Sequence, residues 1–413
     1  MAMTTHMADT PPTEDLIVQW RERIRQTTFA NYHFEMGFAL WRTGSLDVAA
    51  AALERALEIQ PDLAKVAPLL ARIEEAQGHG TAAQQRKGAV LNRDPLLWSR
   101  GCVALALCHA RDGAFDQAEP WLEQARTVTP DDPLLLACSG LLQARQNAWL
   151  PACANLDRVT AVAGVETDEL AGELVDSLEL MARHRFQDWS PPQPDKTVFA
   201  LAAARTVLRL DPRMTALRGL IIRCLLRLGR YADVMQEFIE LPVEQAAENG
   251  NRMLAGIALF SLGRYEEATT AFEACSALNP NEARPIAYLG LIALATGGND
   301  RALAKLDAAR FQAPDDAFVL SCYGLALHAQ GRFADAVQIH KAALKLAPDD
   351  VWARLNLGLA LDALGDVSGS HDAYCTALET GAPFCFATLD QRPFGAELLK
   401  ERFASLGFPY KAS

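Results

Sequence analysis

A chain of 413 residues, half of them apolar and 22% charged, has ample material for a buried core, which excludes wholesale disorder. Its formal net charge of -12 excludes a nucleic-acid surface, because phosphate neutralisation needs clustered lysine and arginine in excess. Nine cysteines, odd in number and never spaced as Cys-x-x-Cys, point away from a disulfide framework or a zinc site and toward a reducing, cytoplasmic setting.

Residues 1–13 lack the basic start and apolar core of a secretory signal and are expected to be disordered. Residues 14–29 predict an amphipathic helix with Leu16, Ile17, Trp20 and Ile24 on one side, placed to cap the helices after it. From residue 30 a 34-residue spacing organises the chain. The first copy, 30–63, carries Gly37, Gly44, Ala49, Leu53, Ala56 and Pro61. Copy 64–97 keeps Gly78, Ala83 and Pro95; copy 99–132 keeps Ala106, Gly113, Ala118, Ala125 and Pro130; the degenerate 133–166 keeps Gly140, Ala152 and Leu156.

Phase is lost after residue 166, since Pro212 lies 48 residues beyond Gly164. The excess predicts an irregular fifth unit over 167–214: a longer helix near 167–187, the loop DWSPPQP, whose prolines cannot continue a helix, and a second helix over 195–210. This stretch is read as a seam between two blocks, with a continuous superhelix carrying a bulge as the alternative. Phase returns in 215–248 through Gly229, Tyr231 and Phe238. It then runs unbroken over 249–282, 283–316, 317–350 and 351–384, where three columns share one register: Pro280, Pro314 and Pro348; Gly256, Gly290, Gly324 and Gly358; Gly263, Gly297, Gly331 and Gly365. Residues 385–413 predict a capping helix through Phe394, Leu398 and Phe403, and Phe384, Phe386, Phe408 and Tyr410 make the chain's end an aromatic tail, which caps the last helices or, alternatively, docks a partner or the chain itself.

The residue types suit paired helices. Glycine or alanine lets two helices cross closely, proline ends the second helix, and the aspartates of PDDA and PDDV can cap the next one. Small residues at repeat positions 8, 20 and 27 with proline at 32 are similar to the pattern of the tetratricopeptide repeat family. That resemblance implies an all-α fold: a right-handed superhelical solenoid of antiparallel helix pairs, with about ten repeats, some degenerate, and terminal capping helices.

The resemblance also implies a non-catalytic scaffold or adaptor that holds a protein or peptide ligand in a concave groove lined by the first helix of each repeat. Carried onto this sequence, the family's groove positions select an apolar stripe: Phe34, Phe38, Trp41, Leu107, Leu141, Met253, Ile257, Phe260, Leu291, Leu294, Phe318, Leu325, Trp352, Leu355 and Leu359. They also select a basic column of Arg42, Arg72, Arg111, Arg145, Arg223 and Arg227. Such a groove suits a ligand with separate acidic and apolar segments. On this reading Phe260→Glu with Leu294→Glu abolishes binding and leaves melting intact; the alternative is that the stripe is closed within the superhelix or covered by the chain's own ends.

No repeat pairs lysine at position 5 with asparagine at position 9, so the family's carboxylate clamp is not implied, and the asparagine ladder at position 6 survives only as Asn356. Two further roles fit the same fold: an arm recruiting substrates to a separately encoded enzyme such as a glycosyltransferase, or a self-assembling scaffold.

Nothing in the spacing proposes a nucleophile, a base and an orienting group together, so no catalytic residue, cofactor or metal ligand is expected. His33, His109, His328, His340 and His371 fall at repeat positions on helices, and Gly78-His79-Gly80 reads as a turn, not a phosphate loop. No stretch is long and apolar enough to span a membrane. Arginine far exceeds lysine, which suggests a high-GC bacterial source.

Overall fold

The computed structural model describes residues 14–161, 169–187, 194–388 and 396–405. These contain 22 α-helices and no strand. They fall into two compact units: residues 1–178 with 209–211, and residues 179–208 with 212–413. The division runs through α9 (Glu169–Gln187) and the end of α10 (Pro194–Leu210), the stretch where the 34-residue phase is lost.

The first unit pairs α1 (Glu14–Arg42) with α2 (Leu46–Ile59), α3 (Val66–Ala76) with α4 (Gly80–Arg93), α5 (Pro95–Arg111) with α6 (Phe115–Val128), and α7 (Pro133–Arg145) with α8 (Trp149–Ala161). In the second unit α11 (Arg218–Arg227), entered through a 3-10 turn at Thr215–Leu217, pairs with the short α12 (Tyr231–Ile239). A four-residue α13 (Val243–Ala246) comes next. Regular pairs then run α14 (Asn249–Ser261) with α15 (Tyr265–Leu278), α16 (Ala283–Ala295) with α17 (Asn299–Gln312), α18 (Ala317–Ala329) with α19 (Phe333–Leu346), and α20 (Val351–Ala363) with α21 (Val367–Thr388); α22 (Ala396–Ser405) closes the chain.

The glycine columns have two physical roles. The turn between paired helices needs a left-handed residue, and Gly263 and Gly331 supply it at φ 72° and 74°. In the degenerate fourth repeat Asn147 takes the same place at φ 61°, because asparagine tolerates this conformation better than most side chains. The mid-helix column is a hole that receives a knob. A Cβ on Gly256, Gly290 or Gly358 would stand within 3 Å of Phe272, Leu306 or Tyr374 on the partner helix.

Several helix starts carry aspartate caps. Asp94 accepts from the Leu96 and Leu97 amides, Asp132 from Leu135, Asp316 from Phe318 and Val319, and Asp350 from Ala353 at 3.1 Å.

Both ends differ from the sequence expectation. No break separates residues 14–29 from the first repeat: α1 is one helix of 29 residues, since no proline or glycine stands near residue 29 to interrupt it. The side chains of Leu16, Ile17, Trp20 and Ile24 lie outside the described residues, as do the segments 1–13 and 188–193. At the other end α21 continues to Thr388, and α22 buries Leu399 and Phe403 against Tyr374 and Leu378. The expected contributors Phe394 and Leu398, and the tail side chains of Phe384, Phe386, Phe408 and Tyr410, lie outside the described residues.

Candidate interaction surface

The apolar stripe does not line an open wall. Eleven of its fifteen members are buried, and Trp41, Ile257, Phe318 and Trp352 are half-buried. In the second unit Phe260 sits between Tyr265 of its own repeat and Tyr288 of the next, with both ring centroids at 5.8 Å. Tyr288 in turn stacks on Phe272 at 4.8 Å and leans on Phe318 at 5.0 Å. Met253, Leu291, Leu294 and Leu325 belong to the same core, against which Ile257, Phe318 and Trp352 pack. Leu355 and Leu359 lie in the cluster closed by Leu399 and Phe403 of α22. A helix apolar on every side is buried on every side, and here the neighbouring repeats do the burying.

In the first unit the stripe is also packed. Phe34 stacks on Phe38, and Leu107 and Leu141 are buried. Phe38 and Trp41 meet His109 at 5.3 and 5.7 Å, and Trp41 reaches Trp121 at 6.4 Å. Rings of α1 and α5 therefore touch directly, past the intervening repeat.

Charged pairs run along the same seam. Arg42 of α1 is ion-paired to Asp112 just beyond α5, and Arg111 of α5 lies 3.8 Å from Glu35 of α1. Arg145 of α7 donates to the Ala110 carbonyl at 2.9 Å. The ends of α1, α5 and α7 thus bring Arg42, Arg111 and Arg145 together, each in the last turn of its helix, where a cation also complements the dipole. Arg72 is not part of this group: it pairs with Glu75 on its own helix, at 3.4 Å. Arg223 and Arg227 belong to the second unit, one turn apart on α11, where desolvation lowers both guanidinium pKa values and the charge of Arg183 adds to the effect on Arg223.

His109, read from the sequence as a helix position, lies within this seam. It is fully buried among Phe38 and Trp41, and neither ring nitrogen has a hydrogen-bond partner among the described residues. Burial lowers its pKa from 6.5, the nearby charge of Arg42 lowers it further, and Asp112 offsets part of this. The folded value lies below the unfolded one, so unfolding takes up a proton within that interval. His109 therefore contributes stability above pH 6.5 that is lost as pH falls through its folded pKa. Thermal melts at stepped pH should show a falling melting point below 6.5, and His109→Phe should flatten that fall; an equal slope in the variant would assign it to other groups, beginning with His328, whose pKa burial also lowers.

Burial raises the thiol pKa of Cys102 and Cys224 to about 12 and pushes those of Cys138 and Cys322 up as well, so these cysteines stay protonated and pack as small apolar groups. Among the described residues no cluster of His, Cys, Asp or Glu is placed to hold a metal, and no helix is long and apolar enough to cross a membrane.

Comparison with known proteins adds family-level matches. Models described as tetratricopeptide repeat match residues 30–63 and 253–317, and one described as TPR repeat matches residues 324–365. No curated protein matches the chain. Among solved structures, MamA from residue 41 to its end, of Desulfovibrio magneticus RS-1, is 23% identical over 41% of this chain and 96% of its own, with a TM-score of 0.32. Yeast Tom70 is 14% identical over 92% of this chain and 89% of its own, with a TM-score of 0.40.

Proposed function

Because this chain is a tetratricopeptide-repeat protein, we propose that it is a non-catalytic protein-protein interaction scaffold that holds an acidic segment of a partner polypeptide at the arginine end of its first unit. The observation that carries this reading is the convergence of Arg42, Arg111 and Arg145 from three first helices onto one edge of the stack. The Arg42 and Arg111 side chains keep 42% and 57% of their exposure, and their carboxylate partners are equally open. Exposed pairs of this kind contribute about 0–1 kcal/mol, so an incoming carboxylate replaces Asp112 or Glu35 at little cost. A guanidinium offers a planar, two-pronged donor matched to a carboxylate.

With the apolar stripe packed into the core, this reading rests on charge as the recognition chemistry. A labelled oligoglutamate peptide, with an oligolysine peptide as control, tests it by fluorescence anisotropy at two salt concentrations. Oligoglutamate should bind more tightly, lose affinity with added salt, and lose about tenfold or more with Arg42→Glu combined with Arg111→Glu at unchanged helical content. Equal binding of both peptides, or no effect of the double substitution, would remove the arginine edge as the site.

A further inference from the structure

Each first helix has a side that faces the preceding repeat. At repeat position 3 this side carries Val66, Gly101, Leu135, Asn251, Val319 and Ala353, all of them buried. At position 7 it carries Leu70, Leu105, Ile221 and Leu289, also buried, while Tyr323 is half-buried under Arg310 of the preceding repeat's second helix, 4.8 Å from its ring. The first repeat places Tyr32 and Met36 at these positions, and Tyr32 is 64% exposed and Met36 38%. Phe29, one turn before Tyr32, is 52% exposed, with Arg25 lying 5.9 Å from its ring. Residues 25, 29, 32 and 36 are spaced by four, three and four, which sets them in one line along α1.

This line continues the interface that joins repeat to repeat, with the preceding helix missing among the described residues. We propose that a second copy of the chain supplies it: two α1 helices pack antiparallel across a two-fold axis near Phe29 and Tyr32. Two observations select this occupant. The face has the register and residue types of a surface that buries a helix within this same molecule. Among the described residues α22 already covers the last repeat with Leu399 and Phe403, and Arg402 fastens that helix to Asp362 at 2.9 Å. Head-to-tail addition is therefore blocked, and an isologous pairing, in which one face meets itself, closes at two copies. An antiparallel arrangement centred there also sets each Arg25 opposite the partner's Met36 end, which separates the two guanidinium groups by about 16 Å along the axis.

Light scattering coupled to size separation, over a rising concentration series of the full chain, reads the outcome as mass. The expected result is a shift from 45.0 kDa to twice that value. Tyr32→Asp should return the protein to the single-chain mass at the same concentration with unchanged helical signal, since the side chain lies outside the core. Val48→Asp, on an exposed position of α2, should leave the dimer intact. A mass that stays at 45.0 kDa throughout, a dimer that survives Tyr32→Asp, or a mass that keeps growing beyond two copies overturns the proposal.

Discussion

Phe260→Glu combined with Leu294→Glu should unfold the central repeats of the second unit and lower its melting point sharply. Both positions are less than a tenth exposed and belong to one apolar cluster with Phe272, Leu291 and Leu306. A carboxylate at either place loses the packing of the original side chain and must shed water without a partner, at a cost of about 4 kcal/mol or more per site. Repeat stacks are stabilised by nearest-neighbour contacts, so the damage is expected first in α14 to α18. Circular-dichroism melting with amide hydrogen exchange checks this: lost protection there is the expected result. An unaltered melt with loss of a binding partner would instead return Phe260 and Leu294 to the protein's surface.

Gly101→Ala should destabilise the first unit by about 1–3 kcal/mol, whereas Gly88→Ala should stabilise it by about 0.5–1 kcal/mol. Both glycines are inside helices, so intrinsic propensity favours alanine at each. The difference is what the new methyl meets. At Gly101 it would stand 2.1 Å from the Ala64 carbonyl oxygen and 2.7 Å from its carbon, backbone atoms that cannot rotate away. Relief requires moving α5 away from the start of α3, where Pro68 also presses at 3.0 Å. At Gly88 nothing lies within 4 Å. Urea denaturation midpoints of the two variants should move in opposite directions, and a neutral Gly101→Ala would mean that α5 does not approach the Ala64 peptide this closely.

Much of the architecture was legible because it is local. The glycines at 263, 297, 331 and 365 mark turns, since few other residues adopt a positive φ cheaply, and the aspartates after proline mark helix starts, since their side chains reach the first free amides. Asn147 shows the limit of a glycine column: the turn survives on a different residue able to adopt the same angle.

The sequence by itself determined, through spacing, which residues of the regular repeats pair helix to helix, and where those helices turn. Only the tertiary structure decided what each apolar side meets. Phe260 meets Tyr288 and Leu355 lies in the cluster closed by α22, although both read alike as groove positions, while Tyr32 stays largely exposed. The same holds for Arg42 and Asp112, paired across 70 residues because α1 reaches past one repeat to touch α5. Periodicity is a property of one helix, whereas burial and pairing depend on how closely its neighbours approach, and that distance is set by side chains in other repeats.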